Sequence, residues 1–349
     1  MLTVLINTSP LGNQNAIRGV GVYTRQLIEG LQTQANINVL TSESEINAEQ
    51  KPDLIHYPFF DLFFDTLPLH HKKPFVVTIH DVIPLVFKKY YQPGVKGYLR
   101  FIKQSQAVKK AKLVITDSLA SKNDIHRYLK IKENKISVIP LAANPLLHKL
   151  KTEEVEKIAR KYKLPANYLL YVGDINYNKN LPQLIKSLKF LPDKIKLVCV
   201  GKNFYPHNIP EWQWIETQLA LSDVRNRVRF ITDLSRHETN ELAAIYQGAI
   251  AYVQPSLYEG FGLPILEAMQ CHTPVISTHN SSLTEVGGNY VLYVDAKAES
   301  IAQKVEEVLS WSESRRNNFI KAAFKWSQTF NWDRVAQETI QAYKQVVSA

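Results

Sequence analysis

Glu259 and Glu267 bracket the stretch Glu-Gly-Phe-Gly-Leu-Pro-Ile-Leu-Glu, with seven residues between the two carboxylates. Pro264 suits the first turn of a helix, where its missing N–H would have had no partner. Gly260 and Gly262 clear side chains from the approach to that helix and leave backbone donors at the positive end of its dipole. Glu267 falls about one turn inside the helix and Glu259 on the loop before it, so both can accept hydrogen bonds from the hydroxyls of one ligand. Carboxylates that recognise hydroxyls, beside amides that recognise phosphate, suggest a sugar joined to a nucleotide. An ordinary tight turn would account for Pro264 and one glycine. It would not call for Phe261, Leu263 and a second carboxylate at fixed offsets.

Other stretches carry groups of the same kind. "YVGDINYNKNL" sets Gly173 at a strand end and Lys179 just before a helix opened by Asn180. A lysine so placed suits a diphosphate, whose charge grows as its bond to a sugar breaks. Earlier, "IRGVGVYTRQLIEGL" leads from a first strand into a helix, with Gly19 and Gly21 able to bring backbone close to a ligand. "VVTIHDVIPL" ends a buried strand with His80 and Asp81, and "LVITDSLASKNDI" reads as a strand followed by Ser118 as a helix cap. Taken alone, a pair of glycines and a histidine at a strand end specify no chemistry.

These groups need a scaffold, and the hydrophobic pattern describes one. Apolar runs of strand length fall at 3–7, 37–40, 54–57, 75–80, 113–116 and 136–139, and again at 168–172, 196–200, 228–231, 250–254, 274–277 and 291–294. Most are continuous Val, Ile and Leu rather than alternating, the composition of parallel strands covered on both faces. Helical patterns separate them at 22–32, 119–129, 181–188, 238–246, 264–270 and 301–309. The order predicts an α/β protein of two doubly wound, Rossmann-like parallel-sheet domains facing a cleft, with ligand sites beyond the carboxyl ends of the strands. A chain of 349 residues is also long for a single core. The boundary is expected at the charged stretch after Pro140 and Pro145, giving domains 1–150 and 151–330. The remaining 331–349 form a last helix with no strand after it to cover, expected to pack back on the first domain.

Charge is uneven. The net +10 comes mostly from residues 1–150, which hold 19 Lys/Arg against 11 Asp/Glu, while 151–349 hold 23 against 21. From Lys88 to Lys112 there are eight basic residues and no acidic ones, interleaved with Tyr90, Tyr91, Tyr98, Leu99, Phe101 and Ile102. That stretch suits an anionic surface as well as it suits a solvated helix face. No helix-turn-helix, zinc-finger or RNA-binding signature accompanies it, which leaves nucleic acid unsupported. Cys199 and Cys271 show no ligand or disulfide spacing. The N-terminal apolar run lacks a basic start and is far shorter than the roughly 20 residues that span a bilayer. A cytoplasmic protein is expected, peripheral on the inner face of the membrane.

In Glu259, Gly260, Phe261, Gly262, Leu263, Pro264 and Glu267 the sequence resembles the family 4 retaining glycosyltransferases of the GT-B fold. "TPVISTHNSSLTEVGGN", with Glu285, is similar to the family's following segment; His272 stands where a glycine usually precedes the Thr-Pro pair. The resemblance implies transfer of a sugar, with mannose the first choice, from a GDP- or UDP-sugar to a hydroxyl of a glycan or lipid-linked acceptor, with retention at the anomeric carbon. It further implies that the first domain holds the acceptor and that the leaving phosphate takes the acceptor's proton, so no protein nucleophile is required.

By the same resemblance Lys179, Gly173 and the backbone of Gly260, Phe261, Gly262 and Leu263 serve the diphosphate and sugar, Glu259 the sugar hydroxyls, Glu267 the ribose, His80 the donor sugar, and Gly19 and Gly21 the first glycine loop. Lys179, Glu259 and His80 are the expected catalytic residues. Many relatives carry an arginine where Asp174 or Asn178 stands here, which shifts phosphate stabilisation onto Lys179 and backbone donors. That departure keeps a second reading in view, a catalytically silent sugar-nucleotide-binding subunit supporting a partner transferase. The chain has no Asp-x-Asp, so no metal and no cofactor are expected.

Overall fold

A computed structural model describes residues 1–12, 19–41, 51–234 and 239–348. The chain divides into two compact units, Met1–Ala142 with Phe330–Ala349, and Ala143–Thr329. In the first unit the strands are β1 (Leu2–Ile6), β2 (Ile37–Leu40), β3 (Leu54–Tyr57), β4 (Phe75–Thr78), β5 (Leu113–Thr116) and β6 (Ile136–Val138). They form one parallel sheet in the order β2-β1-β3-β4-β5-β6. Helices α1 (Gly19–Gln32), α2 (Ile83–Val86), α3 (Gly94–Lys109) and α4 (Leu119–Asp124) connect its strands.

The second unit opens with α5 (Thr152–Lys161) and carries β7 (Tyr168–Val172), α6 (Leu181–Ser187), β8 (Lys196–Val200), α7 (Pro210–Ser222), β9 (Val228–Ile231), α8 (Thr239–Gln247) and β10 (Ala251–Gln254). It continues through α9 (Leu263–Gln270), β11 (Val275–Thr278), α10 (Leu283–Gly287), β12 (Leu292–Val294), α11 (Ala298–Leu309) and α12 (Glu313–Ser327). Its parallel sheet runs β12-β11-β10-β7-β8-β9. Within this unit that is the Rossmann order, and the direction of winding reverses between β7 and β10. A ligand crevice opens at such a reversal, outside the strands' carboxyl ends. The core beneath it is made by Leu169, Leu184, Leu197, Val253, Ile276 and Val305, all fully buried.

The chain then returns to the first unit as α13 (Trp332–Val347), which packs along α1. The two helices approach closely at Gly30: a Cβ there would stand 3.4 Å from both the Ala336 side chain and the Trp332 carbonyl.

Several elements differ from the sequence pattern. The first helix begins at Gly19, so Gly19 and Gly21 lie in its first turn rather than in a loop ahead of it; Ile17 and Arg18 of that stretch lie outside the described residues. β4 stops at Thr78, leaving His80 in the loop beyond it. The run 119–129 is an α-helix only to Asp124 and continues as a wider π-type turn over Ile125–Leu129. For the helix expected at 238–246, residue 238 is outside the described residues and α8 runs one residue further. Helix α7 was not read from the pattern, although Trp212, Ile215 and Leu219 give it a buried stripe.

Candidate functional site

The reversal between β7 and β10 brings Lys179 and Glu259 together. Both loops are short and stitched to each other by amides. Asn178 donates from Nδ2 to the Tyr258 carbonyl at 2.9 Å and accepts at its own carbonyl from Leu257 N–H at 2.7 Å. Asn180 adopts a left-handed conformation (φ 55°) and donates from Nδ2 to the carbonyls of Pro255 and Ala296. Asn178 thus fastens one loop to the other. Lys179, held between the two asparagines, places Nζ 2.9 and 2.8 Å from the Glu259 oxygens.

Glu259 is buried, and its carboxylate is met by further donors. Oε1 accepts from Gln254 Nε2 at 2.5 Å and from Ser256 Oγ at 2.6 Å, as well as from Lys179. Gln254 is turned to donate because its own oxygen accepts from the Tyr252 hydroxyl. The Glu259 N–H donates to Ser281 Oγ, and Ser282 Oγ donates toward the carbonyls of Glu259 and Phe261. Oε2 keeps only the lysine among the hydrogen bonds within the described residues. Of the two oxygens, Oε2 therefore has capacity left for a ligand hydroxyl.

Gly262 precedes α9 with φ 109°, a conformation that disfavours side chains, and a Cβ there would fall 2.9 Å from Leu283. Gly262 gives α9 no side-chain cap; Pro264 has no N–H and Ile265 N–H donates to the Gly262 carbonyl at 3.0 Å. Glu267 points from this helix to the Tyr246 hydroxyl, which donates to Oε2 at 2.9 Å. Burial raises the Glu267 carboxyl above the ordinary range, and the tyrosine offsets this in part. Rings of Tyr246 and Tyr252 meet edge to face at 5.6 Å. Tyr246 thus holds Glu267 directly, while Tyr252 acts on Glu259 only through Gln254. Gly173 closes β7, and its carbonyl packs against Gly201 so tightly that a Cβ on Gly201 would lie 2.2 Å from it.

In the first unit His80 Nδ1 lies 2.7 Å from Asp117 Oδ2. Burial alone would lower the imidazole; the Asp117 carboxylate outweighs it, with help from Asp81, and His80 titrates above its ordinary value. His80 Nε2 and Asp117 Oδ1 are buried with no hydrogen-bond partner among the described residues. The His80 carbonyl accepts from Ser121 Oγ, and Ser118 caps α4 by accepting from Ser121 N–H. Tyr23 of α1 sets its ring edge-on to the imidazole, centroids 4.8 Å apart. Behind it runs a buried chain: Tyr23 hydroxyl to Thr78 (2.9 Å), Thr78 to His56 Nε2 (2.8 Å), and His56 Nδ1 to the Tyr343 hydroxyl of α13 (2.6 Å). Gly19 is exposed and Gly21 buried in the same α1.

Of the residues expected at the site, Lys179 and Glu259 are in direct contact, Gly260, Phe261, Gly262, Leu263 and Glu267 follow Glu259 along the same loop and helix, Gly173 follows β7, and His80, Gly19 and Gly21 lie in the other unit. Sequence reasoning missed Gln254, Ser256 and Asp117. Each had a signal: a polar or acidic residue at the end of an otherwise apolar strand, where buried polar groups need a stated partner.

Residues 153–326 match the model of the glycosyl transferases group 1, and residues 40–145 that of glycosyltransferase family 4. The O-antigen chain mannosyltransferase RfbU of Salmonella typhimurium is 34% identical over 259 residues, 72% of this chain and 67% of that protein. The O-antigen chain mannosyltransferase B of Escherichia coli is 29% identical over 287 residues, 79% and 71% of the two chains. The Anabaena protein Alr3699/HepE, solved in complex with UDP-glucose, superposes with a TM-score of 0.71 at 16% identity over 100% of both chains. Two parallel α/β units of this kind are the GT-B fold. The chain belongs to the group 1, family 4 glycosyltransferases.

Proposed function

We propose that the protein transfers a hexose, mannose first, from a GDP- or UDP-sugar to a hydroxyl of a glycan or lipid-linked acceptor in polysaccharide or lipopolysaccharide assembly at the inner membrane face. The observation that carries this is the Lys179–Glu259 pair at the winding reversal, beside the uncapped start of α9. The names of the O-antigen mannosyltransferases above support the sugar and the setting, and the UDP-glucose held by the Anabaena protein supports the donor class.

In this reading Lys179, Gly173 and the backbone of Gly260–Leu263 receive the diphosphate. Glu259 Oε2 takes a sugar hydroxyl and Glu267 the ribose; His80, with Gly19 and Gly21 at the start of α1, serves the donor from the first unit. The bond from the anomeric carbon to the phosphate oxygen breaks while the acceptor oxygen bonds the same face, and the phosphate takes the acceptor's proton. Charge grows on the phosphate, where Lys179 and the helix dipole stabilise it. The reaction is retaining and needs no metal or cofactor.

A panel of nucleotide-sugars tests the donor: one should raise the melting temperature, as any ligand of the native state does. Incubation of that donor with an acceptor glycan, with the product's anomeric configuration read by NMR, tests retention. An inverted product, or activity abolished by a chelator and restored by manganese, would overturn the corresponding part. Donor binding without transfer to any acceptor would favour the silent-subunit reading.

A further inference from the structure

The end of β10 carries a hydrogen-bonded row of side chains that leads to Glu259. Tyr252 and Gln254 share one face of the strand, two residues apart, and Ser256 continues the same alternation past its end. All three are buried. The Tyr252 hydroxyl donates to Gln254 Oε1. Gln254 Nε2 then donates to Ser256 Oγ at 2.8 Å and to Glu259 Oε1 at 2.5 Å, and Ser256 Oγ donates to the same Oε1 at 2.6 Å. Ser256 is itself fixed, because its carbonyl accepts from Thr278 Oγ1 and Asn280 Nδ2.

The direction of this row sets what it does. A glutamine amide has donors on one side and an acceptor on the other, so its neighbours decide which way it faces. Among the described residues Tyr252 supplies the hydrogen that the Gln254 oxygen receives, which leaves the NH2 group to face Ser256 and Glu259. Every hydrogen in the row points toward Glu259. Gln254, Ser256 and Lys179 therefore converge on Oε1, while Oε2 meets Lys179 alone among the described residues. Hydrogen bonds that run one way polarise one another and hold their last acceptor more firmly than separate bonds would. A strand end that needed only to be packed would carry leucine at 254, with no buried amide to satisfy.

We propose that Tyr252 and Gln254 are positioning residues for the donor sugar: they saturate Oε1 of Glu259 and commit Oε2 to one sugar hydroxyl, which fixes the configuration of the hydroxyl that the site accepts. The proposal rests on the reading above in which Glu259 Oε2 receives the sugar. Neither residue is assigned a contact with the ligand. Tyr252 acts through Gln254, and Gln254 acts through Glu259.

The experiment is steady-state transfer by the whole protein with two epimeric pairs, GDP-mannose against GDP-glucose and UDP-glucose against UDP-galactose, beside inhibition by GDP and UDP alone. Gln254→Leu should lower kcat/KM for the accepted sugar nucleotide about tenfold or more and narrow its preference over the epimer about threefold or more. Inhibition by the bare nucleotide should be unchanged, because Lys179 still spans both oxygens of Glu259. A residue that merely held the strand would weaken both. Tyr252→Phe keeps the ring and its contact with Tyr246 and removes only the hydroxyl; the same pattern should follow, smaller in size. In the Gln254→Leu background Tyr252→Phe should add no further loss, the non-additivity of groups that act through one another. Gln254→Met serves if the leucine variant does not fold, and Tyr252→Phe can be read by itself. Equal losses for sugar nucleotide and bare nucleotide, additive effects in the double variant, or wild-type kinetics in both single variants would each overturn the positioning role. Wild-type transfer with unaffected variants overturns that role alone, whereas a wild-type protein that transfers from none of the four donors overturns the reading of Glu259 together with it.

Discussion

Each unit sets a nitrogen group against a carboxylate at a strand's carboxyl end, but the two pairs are finished differently. Around Glu259, Lys179, Gln254 and Ser256 supply the donors, and Gln254 is itself locked by Tyr252. Around Asp117, His80 is the partner, while one oxygen of the acid and one nitrogen of the ring are buried with no hydrogen-bond partner among the described residues. A closed network holds charge in place before a ligand arrives, so little reorganisation is left for the reaction. An open pair holds unspent hydrogen-bonding capacity, which native proteins rarely leave buried without use. The second unit is built to fix a charge, and the first keeps hydrogen-bonding capacity in hand.

The sharpest way to break this contrast is Lys179→Ala. It removes the cation from the closed network and leaves Glu259 buried against Gln254 and Ser256 alone. Turnover in the purified, folded variant should fall on the order of 10²–10³-fold, the loss expected when one charge-stabilising donor leaves a site. An unchanged rate would remove Lys179 from the chemistry. Glu259→Gln is milder in shape but turns an NH2 group toward donors that already point inward. About a tenfold to hundredfold loss in kcat/KM for the donor should follow, with a lowered Tm from the donor groups left unpaired. Near-normal turnover would mean that the carboxylate only shapes its loop.

Asp117→Asn probes the open pair. The carboxylate is what lifts His80 against burial, so the imidazole in the variant should titrate below its ordinary value, and transfer should drop about tenfold through loss of its orientation. NMR titration of His80 reads the first effect independently of turnover. If its midpoint stays where the wild-type places it, the pairing does not set the charge of this ring.

The pattern of strands was legible because buried parallel strands are unbroken apolar runs, and β7 and β8 begin and end where those runs do. Helix starts were harder. Gly19 and Gly21 read as loop residues by propensity, yet both lie in the first turn of α1. At the site, the Glu259–Glu267 spacing was legible because it is local. Meeting Glu259 required Lys179 to come from 80 residues away across a winding reversal, and that order of strands is a property of the fold and not of any stretch. Asp117 was overlooked for the same reason, since its partner His80 lies in another segment; the partners of Gln254, namely Tyr252, Ser256 and Glu259, are local.

The smallest effect separates the two units by acid. His56, in the buried chain from Tyr343 to Tyr23, is held by burial at a pKa of about 3. Its folded value lies below the unfolded one of about 6.5, so the unfolded chain binds the extra proton between those values. The stability this group contributes is complete above about pH 6.5 and is lost as pH falls toward 3; at pH 5 the loss is about 2 kcal/mol, or several degrees in Tm. Glu267 in the second unit has the opposite sign, because burial raises it: its contribution is present below its unfolded value and declines as pH rises. Acidification from pH 7 to 5 should therefore loosen β3 and α13 before β10 and α9. Amide exchange followed by mass spectrometry reads the two sets of peptides in one sample. His56→Asn should lower the melting temperature at neutral pH, by breaking the chain to Tyr343, while flattening its acid slope. Parallel loss of protection in both units, or an acid slope unchanged in the variant, would show that His56 is not the group that acid attacks.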